Sequence, residues 1–451
     1  MCLRRLVAAE SSGSRVSGPR VSGPRSTRGL FALWLPTGLG ATALMAEIPI
    51  VIAAVARSGD GGRALAALGI GLSIIVLVNS PALAVTELVV ATPEGQRPAL
   101  RRYALGVGVA STALIGVLAL APPAQHLIGA LLNLDQQTLD QVQLALLGLC
   151  PASIAVASRR FLHGQLIVAG NTRPITVATV VRIACSGAVA WGLLVLVPQA
   201  GALSGGCALT IGAYAETAVL LWAVRAWPRL SAPVRGMLGS ISVRHLHLSG
   251  MRLLNTLPGL VTTVGIANAV AGPDSLIVWP VLSGLLAFFI GPLGDVDSII
   301  ASRLRQQPGD PVPRRFAWWL AVPVAGGFAL VVTTPLVDGY LRSFSAVAAG
   351  PASLGVRWAP LLVGVPVLVL VRAYLRGAIM AGAPVASLSF GVGVHAAVLA
   401  ATMAALPATG LPGVACAALA TSAGLVAEVT ALAVRSPGRH RGRTGFHVNC
   451  Q

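Results

Sequence analysis

Residues 64–91, ALAALGIGLSIIVLVNSPALAVTELVVA, run for 28 positions with a single ionisable side chain, Glu87. A helix of about 20 apolar residues spans a bilayer, and an unpaired backbone amide is too costly to leave in hydrocarbon, so such a stretch has one outlet. Similar runs recur along the chain. Only 10% of the 451 residues are charged and 55% are hydrophobic, against roughly 25% charged in soluble domains. The alternating pattern of outer-membrane barrel strands is absent. The expected fold is therefore an all-α, polytopic membrane protein.

Punctuation by Gly, Pro and charge divides the chain into twelve helices: 30–56, 64–91, 103–122, 140–169, 174–197, 203–225, 246–270, 274–300, 316–337, 355–381, 384–406 and 411–435. The basic residues orient them. All 32 are arginine, which removes the P-loop lysine and Schiff-base chemistry together. With the N-terminus placed in the cytoplasm, twenty-two arginines fall on inside segments and four on outside loops (Arg57, Arg63, Arg342 and Arg357). That split follows the positive-inside rule, puts both termini in the cytoplasm and accounts for the net charge of +18 without nucleic acid. Residues 1–29 read as a disordered basic tail carrying VSGPR twice, and 436–451 as a second basic tail. The expected setting is the plasma membrane, with a monomer as the working unit.

Six arginines, 159, 160, 182, 252, 372 and 376, remain inside helices or at their ends. Two of them reveal a repeat. Arg159, Phe161, Leu162 and Gly164 match Arg372, Tyr374, Leu375 and Gly377 at an offset of 213. Further on, Ala-Glu216-Thr-Ala-Val matches Ala-Glu428-Val-Thr-Ala at 212. Pro81 to Glu87 faces Pro292 to Asp297 at 211 and 210. Three matches in one order at nearly constant spacing indicate a duplication: an N-lobe, 30–225, a cytoplasmic linker, 226–245, and a C-lobe, 246–435. Six helices per half insert the same way round, which calls for a pseudo-twofold axis along the membrane normal.

Leu35-Pro36 with Ile52-Ala-Ala-Val55, Val371-Arg372-Ala373 with Leu375 and Gly377, and Gly410-Leu-Pro-Gly413 leading to Glu428 carry a resemblance. The chain resembles the multidrug and toxin extrusion branch of the oligosaccharidyl-lipid and polysaccharide flippase superfamily, and within it the progressive ankylosis protein family. The resemblance implies an exporter that rocks two six-helix lobes, with pyrophosphate and related anions as the ankylosis branch's cargo. Drug exporters of the branch carry an acid in the first helix as a cation site; Glu47 is acidic but spaced differently from Pro36.

A charge at mid-bilayer costs about 2.5–3.5 kcal/mol on insertion scales, so embedded charges face protein or water. Glu47, beside Pro49, is the candidate for proton or sodium coupling, with carbonyls freed by the proline close by. Glu216 and Glu428, at equivalent places, are candidates for coupling or for a lock with a nearby arginine. Glu87, Asp295 and Asp297 read as gate or headgroup-level acids. Arg182, Arg252, Arg159 and Arg372 are the candidates for substrate binding, since guanidinium grips carboxylate or phosphate bidentately. The alternative for Arg159, Arg160, Arg372 and Arg376 is topological, with the long stem snorkelling to the cytoplasmic face; for Arg182, a couple of turns inside its helix, that escape is harder. His163 and His395 read as packing or proton-relay residues, because neither stands at metal spacing from other ligands. The six cysteines form no CxxC pair. The reading is a secondary-active exporter of an anionic or amphiphilic small molecule, driven by H+ or Na+, with no cofactor, no metal and no enzymatic activity. A flippase for lipid-linked saccharides is the alternative.

Overall fold

The computed structural model describes residues 26–92, 97–169, 171, 173–224, 238–382 and 386–435. Both basic tails beyond these bounds, and most of the expected linker, lie outside the described residues. Among the described residues, ten helices are long and apolar enough to cross a membrane, and a bent pair adds an eleventh. The chain is a multi-pass membrane protein.

The N-lobe begins with α1 (Thr27–Val55), whose first turn is capped by the Ser26 hydroxyl accepting from the Gly29 amide. Next come α2 (Gly61–Val78), which continues past Asn79 as two short helical pieces, Ser80–Leu83 and Val85–Val90, and α3 (Arg97–Leu120). α4 is a pair, Gln136–Leu149 and Ala152–Val168, bent by 40°. Pro151 lies at that break, where its missing N–H interrupts the ladder. α5 (Arg173–Leu196) and α6 (Gly201–Val224) complete the lobe. The C-lobe follows with α7 (Leu238–Ala267), α8 (Gly272–Ile290, then Val296–Gln306), α9 (Val312–Thr333), α10 (Ala349–Trp358, then Val365–Gly382), α11 (Ala386–Ala405) and α12 (Gly413–Arg435).

The two lobes repeat one another element by element: the second helix of each breaks near its end, the fourth breaks in the middle, and the last two pack as a pair. The matched glycines explain themselves here. A side chain at Gly164 would stand 3.1 Å from the Thr86 carbonyl, and one at Gly377 2.6 Å from the Asp297 carbonyl. In both lobes the fourth helix therefore rides directly on the backbone of the broken second helix, which only glycine permits.

Three features depart from the sequence reading. α7 starts at Leu238, so residues 238–245 of the expected linker are helical. α7 is also the helix left out of the apolar set, because Arg244, His245, His247, Arg252 and Asn255 fall on it. Short helical pieces outside the twelve include Pro122–Leu132 and a π-helical turn, Gly339–Phe344. Bulky apolar side chains cover the outside, among them Val195, Leu196, Trp222, Trp318, Trp319 and Val322, as lipid contact requires.

Candidate functional site

Four N-lobe helices bring their costly residues to one buried point. Glu47 comes from α1, Arg159 and His163 from one face of α4, Arg182 and Ser186 from one face of α5, and Glu216 from α6. Spacings of four place each of the two pairs on a single helical face. The Arg182 guanidinium grips Glu47 from two nitrogens, Nε at 2.9 Å from both carboxylate oxygens and Nη2 at 2.6 Å from Oε2. Its third nitrogen, Nη1, reaches Glu216 Oε2 at 3.1 Å, and Arg159 Nη1 meets the same oxygen at 2.5 Å. The Ser186 hydroxyl donates to Glu47 Oε1 at 2.6 Å, and His163 Nε2 stands 3.3 Å from Glu216 Oε1. Both carboxylates are sealed from solvent, Glu47 at 2% and Glu216 at 0% exposure. Two acids against two arginines make the group neutral. Burial of such charges is tolerated only with this degree of pairing, and removing one partner strands the rest.

The C-lobe carries the duplicated version with fewer charges. Arg372 on α10 lies 3.4 Å from Glu428 Oε2 on α12, and His395 Nδ1 on α11 lies 3.2 Å from the same oxygen. The repeat offset of 213 that joins Arg159 to Arg372 also joins Arg182 to His395 and His163 to Arg376. α7, the repeat equivalent of α1, carries no acid, so the C-lobe cluster has no counterpart of Glu47.

Between the lobes lies a cavity of about 440 Å³, walled by α1, α2, α7, α8, α11 and α12. Its walls are mostly apolar, with Ile48, Ile70, Val76, Leu276, Trp279 and Leu399, and the polar groups are hydroxyls such as Ser73, Thr262, Thr263, Ser283 and Thr421. His395 is the one ionisable side chain lining it among the described residues. Cross-lobe bonds bound the cavity at both ends. At one, Arg57 at the end of α1 donates to the carbonyls of Ser343 and Phe344 and covers the Trp191 ring. At the other, Arg252 of α7 pairs with Glu87, Thr256 bonds Ser80, and the His245 ring bonds both Tyr103 and the Pro81 carbonyl.

The structure thus sorts the sequence candidates. Glu47, Glu216, Arg159 and Arg182 meet one another, and Arg372 meets Glu428. Arg159 and Arg182 point into the N-lobe instead of the cleft, because each finds its counter-charge there. Arg252 is partly exposed and engaged with Glu87 across the lobes, outside the cavity lining. The carbonyls expected beside Glu47 are not its partners; Arg182 and Ser186 take both its oxygens. Among the described residues no group of three or more His, Cys, Asp or Glu could hold a metal. Ser186, the place of His163 beside Glu216, and Arg57 as a cross-lobe donor were missed. The repeat offset, applied to Arg182, would have singled out His395.

No protein-family model matches the chain, and no curated protein matches its sequence. Solved structures do. The lipid II flippase MurJ in an inward closed conformation superposes with a TM-score of 0.65 at 11% identity, covering 90% of this chain and 87% of that one. A multidrug resistance MATE family transporter of the MOP superfamily, inward-facing, gives 0.61 at 12% identity, over 89% and 99%. A MOP superfamily transporter from Pyrococcus furiosus, whose binding pocket has reverse polarity, gives 0.58 at 10% identity, over 91% and 94%. At such identities the likeness is one of fold: this chain has the two-lobed, twelve-helix architecture of those transporters.

Proposed function

We propose that this protein is a secondary-active transporter of an anionic or amphiphilic small molecule, working by alternating access at the plasma membrane with both termini cytoplasmic. The observation that carries the reading is the closed N-lobe network set directly behind a cavity wall. Glu47 is held by Arg182 and Ser186, while Met45 and Ile48, two and one residues away on the same helix, line the cavity. A proton on Glu47 turns an acceptor-only carboxylate into a neutral acid and cancels its attraction for Arg182. That releases α1 from α5 and lets the wall shift. The Arg57 bonds and the Arg252–Glu87 pair then act as the two gates, one opened at a time. In the orientation set by the arginine distribution, the Arg57 end faces outward.

The cavity volume lies within the range of small-molecule sites, about 300–1,000 Å³. The apolar walls also suit a lipid tail, which supports a flippase for lipid-linked saccharides as the second reading. The finer likeness to the progressive ankylosis family and its anions belongs to this proposal and rests on the motifs at 371–377 and 410–428. The test is flux into proteoliposomes under an imposed proton or sodium gradient. Glu47→Gln should abolish gradient-driven flux while leaving membrane insertion intact; undiminished flux with the wild-type pH dependence would remove Glu47 from the coupling role.

A further inference from the structure

We infer that His395 is the docking point for the cargo's head group, and that the cavity takes an anionic head together with one proton. The proposal rests on the transport reading above and names the cargo class for it.

The surroundings of His395 decide the sign of the charge it can receive. On α12 it faces Glu428, and on α10 the neighbours of that acid are Arg372 and Arg376. Opposite, α7 contributes Thr256, Thr262 and Thr263 to the cavity, with Arg252 one turn beyond Thr256. The α1, α2 and α8 walls contribute no charge, since Glu47 is turned away onto Arg182. Behind the imidazole, Glu428 and, beside Arg376, Asp297 of α8 balance the two guanidiniums, so the one charge the cavity surface can gain is a proton on His395. A cationic head would meet no acid on the cavity surface and would be repelled by His395 once that ring takes a proton. An anionic head meets the opposite, in a space whose low-dielectric walls concentrate the field of that charge.

Geometry assigns the roles of the ring. Nδ1 is turned to Glu428, which leaves Nε2 as the nitrogen available to a ligand. A neutral ring carrying its proton on Nδ1, the nitrogen 3.2 Å from Glu428, presents only a lone pair at Nε2. Protonation there from water creates an N–H donor and a formal charge beside the cargo. The apolar walls take the tail. Proton and anion thus stabilise each other's binding, and the linkage is reciprocal.

The probe for testing this is octanesulfonate, an amphiphile whose head does not titrate near neutral pH, with octyltrimethylammonium as the cationic control. Its binding is read from the side-chain resonances of His-labelled protein in nanodiscs, the His395 signal being assigned by its loss in His395→Gln. Saturable octanesulfonate binding is expected, weakening about tenfold per pH unit on the alkaline side, as one linked proton requires. His395→Gln should abolish that slope, and His395→Arg, which fixes the charge, should bind without pH dependence. Should His395→Gln misfold, His395→Arg decides alone. The proposal is overturned if the slope survives in either variant, if the His395 signal ignores octanesulfonate, or if the cation binds as well. The two readings fail separately: wild-type protein that binds octanesulfonate with this slope but carries none of it into proteoliposomes under an imposed gradient refutes the transport reading alone, and gradient-driven flux without the slope refutes this one.

Discussion

The N-lobe and C-lobe clusters are copies that have diverged in charge, and the contrast explains their separate duties. In the N-lobe, Arg182 stands where the C-lobe has His395, and Glu47 has no acidic counterpart on α7. The N-lobe group is consequently neutral, closed and buried, with both oxygens of Glu47 and Oε2 of Glu216 bonded. In the C-lobe, a single acid is shared between an arginine that is 28% exposed and a histidine that opens onto the cavity. Duplication preserved helix packing; changes at the places of Glu47, His163 and Arg182 separated an internal lock from a cargo-facing group.

The comparison breaks most severely at the duplicated acids. Glu216→Gln leaves Arg159 and Arg182 sharing only Glu47 in a sealed site, whereas Glu428→Gln leaves an arginine that can reach water. The first should destabilise by about 3–5 kcal/mol, as removal of one partner from a buried ion pair does, and the second by less than half of that. Thermal unfolding and detergent-extracted yield of both variants measure it; equal losses would mean that the two clusters are equally closed.

A smaller effect tests the packing beneath. Gly212 and Gly424 are repeat equivalents, and a side chain at each would stand 3.0 Å from the Arg182 carbonyl and 3.2 Å from the His395 carbonyl. At Gly212, however, a methyl would also overlap the Ser186 hydroxyl that holds Glu47, while at Gly424 it would meet Leu399 at 3.3 Å. Gly212→Ala should therefore cost about 1–3 kcal/mol by overpacking and impair coupling, and Gly424→Ala less on both counts. Flux and melting temperature measured on the same preparations rank them.

The smallest effect lies outside the spans, in the C-lobe loop 307–311, whose N-lobe counterpart, 93–96, lies outside the described residues. Asp310 accepts from the Val312 amide at the start of α9, and this bond, aided by Arg303 at 2.7 Å and opposed by burial, holds its carboxyl below the usual range. A carboxyl depressed on folding stabilises above its unfolded value, about 3.9, and loses that contribution as pH falls through the folded value. Melting temperature should drop slightly in acid below that point, and Asp310→Asn should remove this part of the drop; an identical acid profile in the variant would show that the loop contributes nothing.

By itself the sequence determined the membrane class, the twelve helices, the duplication and the candidate charges. Each is either local or periodic: a bilayer forces a 20-residue apolar segment to satisfy its amides internally, and the run at 64–91 announces this without reference to any other part of the chain. The tertiary structure alone decided where those charges point. Glu47 and Arg182 are 135 residues apart, and helices such as α6, apolar around most of their circumference, offer no polar stripe to show which side meets protein. Arg182 could have faced the cleft on sequence grounds; it turned inward because α1 and α6 carry two carboxylates to the same depth of the N-lobe. The same rotation leaves the cavity without acids and exposes His395, a residue whose role depends on packing geometry that no spacing along the chain encodes.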